Sequence, residues 1–194
     1  LLKGGSAVDA AIAMAACLTV VEPTSNGIGG DLFALVWDGT LHGLNASGKS
    51  PMALTPERLP GRMPERGWLP VTVPGAVSGW RALHERWGRL PFAEVLAPAI
   101  RYAEEGFPVS PVIASNWAGS VSRFKDKPGF AEVFLPGGRA PKEGERFRNP
   151  ALAKTLRLLA AKKRAGWEGE FADAIVAFSD DADRRAFETI QDAD

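Results

Sequence analysis

The residues best equipped for chemistry gather in the first quarter of the chain. Asn45-Ala46-Ser47-Gly48-Lys49-Ser50-Pro51 offers an amide, two hydroxyls and an ammonium within a few positions. Gly27-Ile28-Gly29-Gly30-Asp31 offers a glycine-rich loop whose residues permit positive φ and close backbone approach. Any part the chain plays in a reaction is expected along the unit from Gly4 to Pro51.

The other candidate groups point away from familiar catalytic sets. Two isolated histidines, His42 and His84, and one cysteine do not make a metal cluster at ligand spacing. Neither histidine accompanies a G-x-S-x-G nucleophile turn. The glycines at 27, 29 and 30 precede an apolar run and lack a following Lys-Ser/Thr, so they are no phosphate-binding Walker loop. A dinucleotide fingerprint requires the opposite order, strand then glycines then helix. Glu104 and Glu105 are adjacent and diverge on a helix, which rules them out as an acid/base pair. Cys17 stands among Ala, Met and Leu and is expected to be a buried structural thiol.

The elements that must hold the polar run follow from the pattern around it. Ser6 or Gly5 caps a helix opened by Ala7-Val8-Asp9, with Asp9 suited to the first turn. This helix is rich in alanine and apolar on nearly every side, as a buried helix is. Glu22-Pro23 ends it, because the residue before proline is pushed out of the α region. After the glycine loop, Leu32-Phe33-Ala34-Leu35-Val36-Trp37 is a continuous apolar strand expected to be covered on both faces. Asp38-Gly39 turns the chain, and Leu41 to Asn45 returns as its partner.

Six prolines between Pro51 and Pro74 mark a surface excursion, with Val71-Thr72-Val73 as a short strand at its end. Gly75 to Trp87 is helical by the spacing of Val77, Trp80, Leu83 and Trp87, and His84 is a half-exposed residue on it. Pro91 to Gly106 is a helix that Pro98 should kink or divide. Further helices are expected from Ser110-Pro111 to about Gly119, from Ala151 to Ala165 and from Glu170 to Phe178. Pro136-Gly137-Gly138 is a turn, and Lys162-Lys163-Arg164 is a solvated helix end.

With 23 Lys plus Arg against 23 Asp plus Glu, no net field favours nucleic acid or an anionic membrane. No run reaches the ~18 apolar residues of a bilayer span. Gly4, Gly5 and Asp9 flank the longest apolar stretch, which argues against a signal peptide. The opening Leu1-Leu2-Lys3-Gly4-Gly5 resembles the glycine-capped tail of an earlier helix. Residues upstream are therefore expected, and the compartment stays open between cytoplasmic and periplasmic or secreted. The residues by themselves indicate an α/β domain without a self-contained catalytic apparatus.

An ordered set of blocks goes further. Gly4 to Ala11, Val21 to Phe33, Val73 to Gly79, Leu96 to Ile100, Ala103 to Ser110 and Asn149 to Ala153 closely resemble the large subunit of gamma-glutamyltranspeptidases. The likeness runs over residues 1–178, and 179–194 is an unplaced tail. It implies that 1–194 is the large-subunit portion of one N-terminal-nucleophile hydrolase domain, a four-layer αββα sandwich completed by a small-subunit chain. It also implies a precursor that cleaves itself, and a small-subunit N-terminal threonine that attacks the amide carbonyl. Its own free amine acts as base, which is sound because an α-amino group is partly neutral near pH 7. No catalytic residue is then expected on this chain, and no cofactor or metal.

The family's large subunit contributes an arginine to the substrate α-carboxylate, and the aligned position here is Ser47. Lys49 is the one cation in the run, so Ser47, Lys49, Asn45 and Ser50 are the expected substrate-binding residues, with Gly29 and Gly30 shaping the loop beside them. The partners expected are the small subunit and a small γ-glutamyl or acyl amide, not nucleic acid or membrane. The activity implied is cleavage of γ-glutamyl amides such as glutathione-like substrates, with hydrolysis favoured over transfer because a planar guanidinium clamp is missing. Alternatives are an acylase of cephalosporin or glutaryl type, and a non-catalytic binding homologue.

Overall fold

The computed structural model describes residues 1–50, 54–59, 61–65, 67 and 69–161. The expected helix at 170–178, the basic trio at 162–164 and the tail at 179–194 lie outside them. The chain divides into two compact units, one of 1–27 with 88–160 and one built on 28–87.

The first unit is helical. α1 (Ala7–Val21) starts at a capping box: Ser6 Oγ accepts from the Asp9 amide at 3.0 Å, and Asp9 Oδ2 accepts from the Ser6 amide at 2.8 Å. It stops at Glu22, ahead of Pro23, as expected. Ile12, Ala16 and Val20 recur at helical spacing and are buried. They belong to the face of α1 that packs on α3 (Phe92–Glu105), whose own buried face is Val95, Leu96, Ala99, Ile100 and Ala103. Met14 and Leu18 are exposed, so α1 is not buried all round as its composition implied. Its small apolar residues suit more than one packed neighbour.

α3 passes through Pro98 as one helix, neither divided nor ended there. Its apolar face has buried residues on both sides of the proline, so packing keeps the two halves in one helix. Gly106 closes α3 at a positive φ of 87°. A Cβ there would meet Arg146 Cγ, Arg148 Cγ and the Phe147 carbonyl at 2.8 Å, so both the turn and the space require glycine.

β3 (Phe107–Pro108) then pairs antiparallel with β4 (Arg146–Phe147), two short strands that the pattern did not announce. α4 (Pro111–Phe124) begins at Ser110 and is longer than expected. α5 (Phe130–Phe134) and a 3-10 turn at Pro136–Gly138 follow. Trp117 is buried edge-on against Phe134 and Phe147, with its indole N–H given to the Phe134 carbonyl at 2.9 Å. α6 (Pro150–Ala161) starts where Asn149 Oδ1 accepts from the Leu152 amide at 3.0 Å, and it buries Ala153, Leu156 and Leu159.

The second unit is a hairpin backed by a helix. β1 (Leu32–Trp37) and β2 (Leu41–Ala46) are antiparallel, with Leu32 opposite Ala46 and Trp37 opposite Leu41. α2 (Ala76–Trp87) lies against both strands. Gly79 makes that approach possible.

The expected cover of the apolar strand is present on one face among the described residues, since the burial pattern alternates. Leu32, Ala34 and Val36 are half-buried, whereas Phe33 is 67% exposed, Leu35 77%, Trp37 72% and Leu41 62%. The helix that packs on both strands is α2. Val71-Thr72-Val73 is extended chain without a strand partner of its own, since a single bond to the 49 carbonyl does not make a ladder.

Candidate functional site

Strand alternation decides which groups near the end of β2 are presented. Phe33 is paired with Asn45, so Asn45 lies on the same uncovered face as Phe33, Leu35, Trp37 and Leu41. The alternation persists past the strand: Ser47 and Lys49 are exposed, Ala46 and Gly48 half-buried, and Ser50 exposed. The polar run thus continues from an apolar surface, with its amide, hydroxyls and ammonium open to solvent.

The backbone beneath those side chains is fixed at several points. Asn45 Oδ1 accepts from the Ser47 amide at 2.8 Å, an Asx turn that leads the chain out of the strand. The Lys49 carbonyl accepts from the Val73 amide at 2.9 Å, and the Gly30 carbonyl accepts from the amides of Gly75 (3.1 Å) and Ala76 (2.9 Å). Gly48 and Gly75 are the contact points. A Cβ on Gly48 would fall 1.4 Å from the Val73 carbonyl oxygen, and one on Gly75 would fall 2.0 Å from that of Ala46. Asp31 Oδ1 accepts from the Gly48 amide at 3.2 Å and lies 3.5 Å from the Thr72 hydroxyl.

The structure therefore brings Asn45, Ser47, Lys49 and Ser50 together on one short segment. Gly30 acts through its carbonyl. Gly29 has ordinary backbone angles and no described neighbour within 4 Å of where its Cβ would be. Pro51 lies outside the described residues. Sequence reading did not single out Asp31, Thr72, Gly75 or Gly79, which hold the segment. Its only available signals were the acid closing the glycine run and the glycine after Pro74.

The remaining candidates are engaged elsewhere. His42 is half-buried on the hairpin face opposite Asn45, with Nε2 2.9 Å from Asp38 Oδ1 and Nδ1 3.0 Å from Arg86 Nη2. The neutral tautomer that fits donates from Nε2 to Asp38 and accepts from Arg86 at Nδ1. Trp87 gives its indole N–H to Asp38 Oδ2 at 2.8 Å, and these two bonds, the tryptophan's first, hold the Asp38 carboxyl below its usual range. Both ring nitrogens are thus committed at the turn end of the hairpin, away from the polar run. Burial pushes the Cys17 thiol up, with Arg101 offsetting part of the effect, so it is a poor thiolate source. Among the described residues no three His, Cys, Asp or Glu groups converge as a metal site. No helix in the described residues is long and apolar enough to cross a membrane.

A sequence model of the family described as gamma-glutamyltranspeptidase matches residues 1–192, a span that runs past the last of the ordered blocks. The oxamate amidohydrolase proenzyme of Klebsiella pneumoniae subsp. pneumoniae is 44% identical over 171 residues, 83% of this chain and 32% of its own length. The glutathione hydrolase-like YwrD proenzyme of Bacillus subtilis is 40% identical over 182 residues, 90% of this chain and 35% of its own. Among solved structures, cephalosporin acylase from Bacillus halodurans matches with a TM-score of 0.91 and 47% identity, over 98% of this chain and 38% of that one. Gamma-glutamyltranspeptidase of Helicobacter pylori matches with a TM-score of 0.84 and 30% identity, over 91% of this chain and 54% of that one. The mixed α/β fold is the one these structures share, and the chain spans only 32–35% of the length of those curated relatives.

Proposed function

The chain belongs to the gamma-glutamyltranspeptidase family, and on that premise we propose that it is the large-subunit portion of an amidohydrolase whose nucleophile is carried by a companion chain from the same precursor. The threonine hydroxyl of that companion attacks the amide carbonyl while its own α-amine takes the proton. The amine product leaves with a proton, and water then cleaves the resulting ester. This chain supplies one wall of the site. The uncovered face of β1 and β2 is the surface on which the second sheet of a four-layer αββα sandwich would pack, burying Phe33, Leu35, Trp37 and Leu41.

One observation carries the assignment of the wall: Asn45 shares that uncovered face, and the exposed Ser47 and Lys49 follow directly from it. An acyl donor held at the sheet-to-sheet junction meets them first. Lys49 offers a point charge to a carboxylate, and Ser47 and Ser50 offer hydroxyls. A γ-glutamyl amide is one donor that fits these groups, and water is the favoured acceptor.

A second reading is favoured by Ser47 itself. Without a guanidinium in the run, a donor bearing a different carboxylate or acyl group fits as well. The similarity to an oxamate amidohydrolase and a cephalosporin acylase is in keeping with that.

Assaying the full-length precursor on γ-glutamyl, glutaryl, oxamyl and plain acyl amides side by side tests both readings. Cleavage of the precursor to expose a threonine and turnover of a γ-glutamyl amide is the expected result. Turnover confined to the other donors selects the acylase reading. A polypeptide that stays uncleaved and inert selects the binding homologue. Lys49→Ala should raise KM for the preferred carboxylate-bearing donor, and an unchanged KM removes Lys49 from the site.

A further inference from the structure

We propose that Asp31 is a positioning residue for the polar segment, fixing through its carboxylate the place from which Ser47 and Lys49 are presented. This rests on the reading of 45–50 as a wall of the substrate site. Three pieces of chain meet at this point: the end of the glycine loop, the run after β2, and the extended segment before α2. Two of the joins are made by backbone alone, from Val73 to Lys49 and from Gly75 and Ala76 to Gly30. Asp31 adds a side chain between them. Its Oδ1 accepts from the Gly48 amide at 3.2 Å, with the Thr72 hydroxyl at 3.5 Å on the same oxygen.

The choice of Gly48 as the tethered residue has a steric reason. Gly48 is pressed on the Val73 carbonyl, so it has no room for a side chain and contributes only its amide. The residues on either side are exposed and carry the side chains that face solvent. A bond to the Gly48 amide therefore restrains Ser47 and Lys49 without occupying a polar group of either. Since an amide donor needs an acceptor and not a charge, the bond survives if the acceptor oxygen is kept and the charge removed.

The test uses the full-length precursor with Asp31→Ala and Asp31→Asn. In Asp31→Ala, KM for the best donor should rise about tenfold with kcat nearly unchanged, the scale of one lost hydrogen bond. Tryptic cleavage after Lys49, timed under native conditions, should accelerate to a similar degree. Asp31→Asn keeps an Oδ1 acceptor and should restore both readouts to near wild type. In the wild type, the Gly48 amide should exchange hydrogen well below the free-peptide rate, a measurement that does not depend on any variant folding.

Unchanged KM and tryptic rate in Asp31→Ala would overturn the proposal. An Asp31→Asn as impaired as Asp31→Ala would do so too, because it would make the charge the important feature. Free-peptide exchange at Gly48 would overturn it without reference to activity. A wild type that turns over none of the donors defeats the proposed function instead, while proteolysis and exchange still decide the tether.

Discussion

Gly79 of α2 and Ala46 at the end of β2 are in such close register that a Cβ on Gly79 would lie 2.8 Å from the Ala46 Cβ, and 2.5 Å from Leu32 Cδ2. The Leu32 methyl can swing aside, but the Ala46 Cβ is fixed to its strand. Gly79→Ala should therefore lower stability by about 1–3 kcal/mol through overpacking, outweighing the roughly 1 kcal/mol that alanine gains over glycine in a helix. Urea unfolding of the variant checks this, and a stabilised variant would refute it. The displacement also reaches the segment that follows Ala46, so activity should fall along with stability.

Asp9 supports an N-terminus and a distant loop at once. Its Oδ2 accepts from the amides of Ser6, Arg89 (3.0 Å) and Leu90 (3.2 Å) in a buried position. Burial alone would raise its pKa, but these bonds together bring it below the ordinary value. Asp9→Ala leaves the Arg89 and Leu90 amides without this acceptor and should cost about 2–4 kcal/mol, on the scale of hydrogen bonds to a charged group. Asp9→Asn should cost less, as one acceptor oxygen is kept. Equal melting temperatures for wild type and Asp9→Ala would contradict the assignment.

The legibility of the molecule from its sequence follows the distance over which each contact acts. The capped start of α1 needs only Ser6 and Asp9, three positions apart, and both the helix and its stop at Pro23 are readable. The hairpin is readable too, because Asp38-Gly39 separates two apolar runs. The segment 45–50 could be picked out as polar and placed at the end of β2. What held it could not: Asp31 and Gly48 are 17 positions apart, and Asp31 and Thr72 are 41 apart. Of the two outcomes that local backbone rules allow at Pro98, division does not occur, because the packed face around it keeps α3 one helix. The six apolar residues of β1 called for cover on both faces, and the described residues supply it on one.

Acid sensitivity should be visible at Glu145. Its carboxylate takes both guanidinium N–H groups of Arg139 at 2.9 Å and the Lys142 amide at 2.9 Å, and the Arg139 bonds chiefly hold its pKa at about 2. A depressed carboxylate contributes stability that is complete above its ordinary value of 4.5 and is lost as pH falls through about 2. The stability difference between wild type and Glu145→Gln should therefore shrink steadily from pH 5 down to pH 2. The pair is partly exposed, so added salt should shrink it as well. A difference independent of pH would count against the ion pair.

Ser47→Arg offers a gain-of-function test of the polar segment. It would place a planar, bidentate donor where a lone hydroxyl now stands. Ser47 is exposed, so the longer side chain starts from a position open to solvent. KM for a γ-glutamyl amide should fall by about tenfold or more, the scale of a charge-assisted hydrogen bond, with a smaller change for a plain acyl amide. Equal effects on the two donors would mean that position 47 does not read the carboxylate.

The close fit of Gly48 against Val73 has a meaning for how such a surface can diversify. Any side chain at 48 collides with backbone, so that position is closed to change, whereas 47 and 49 on either side are exposed. Mutation can rewrite charge, reach and hydrogen-bonding character at the two flanking positions without moving the pivot between them. One scaffold can in this way sample new chemical preferences by single substitutions, keeping the shape of its rim while the message written on it changes.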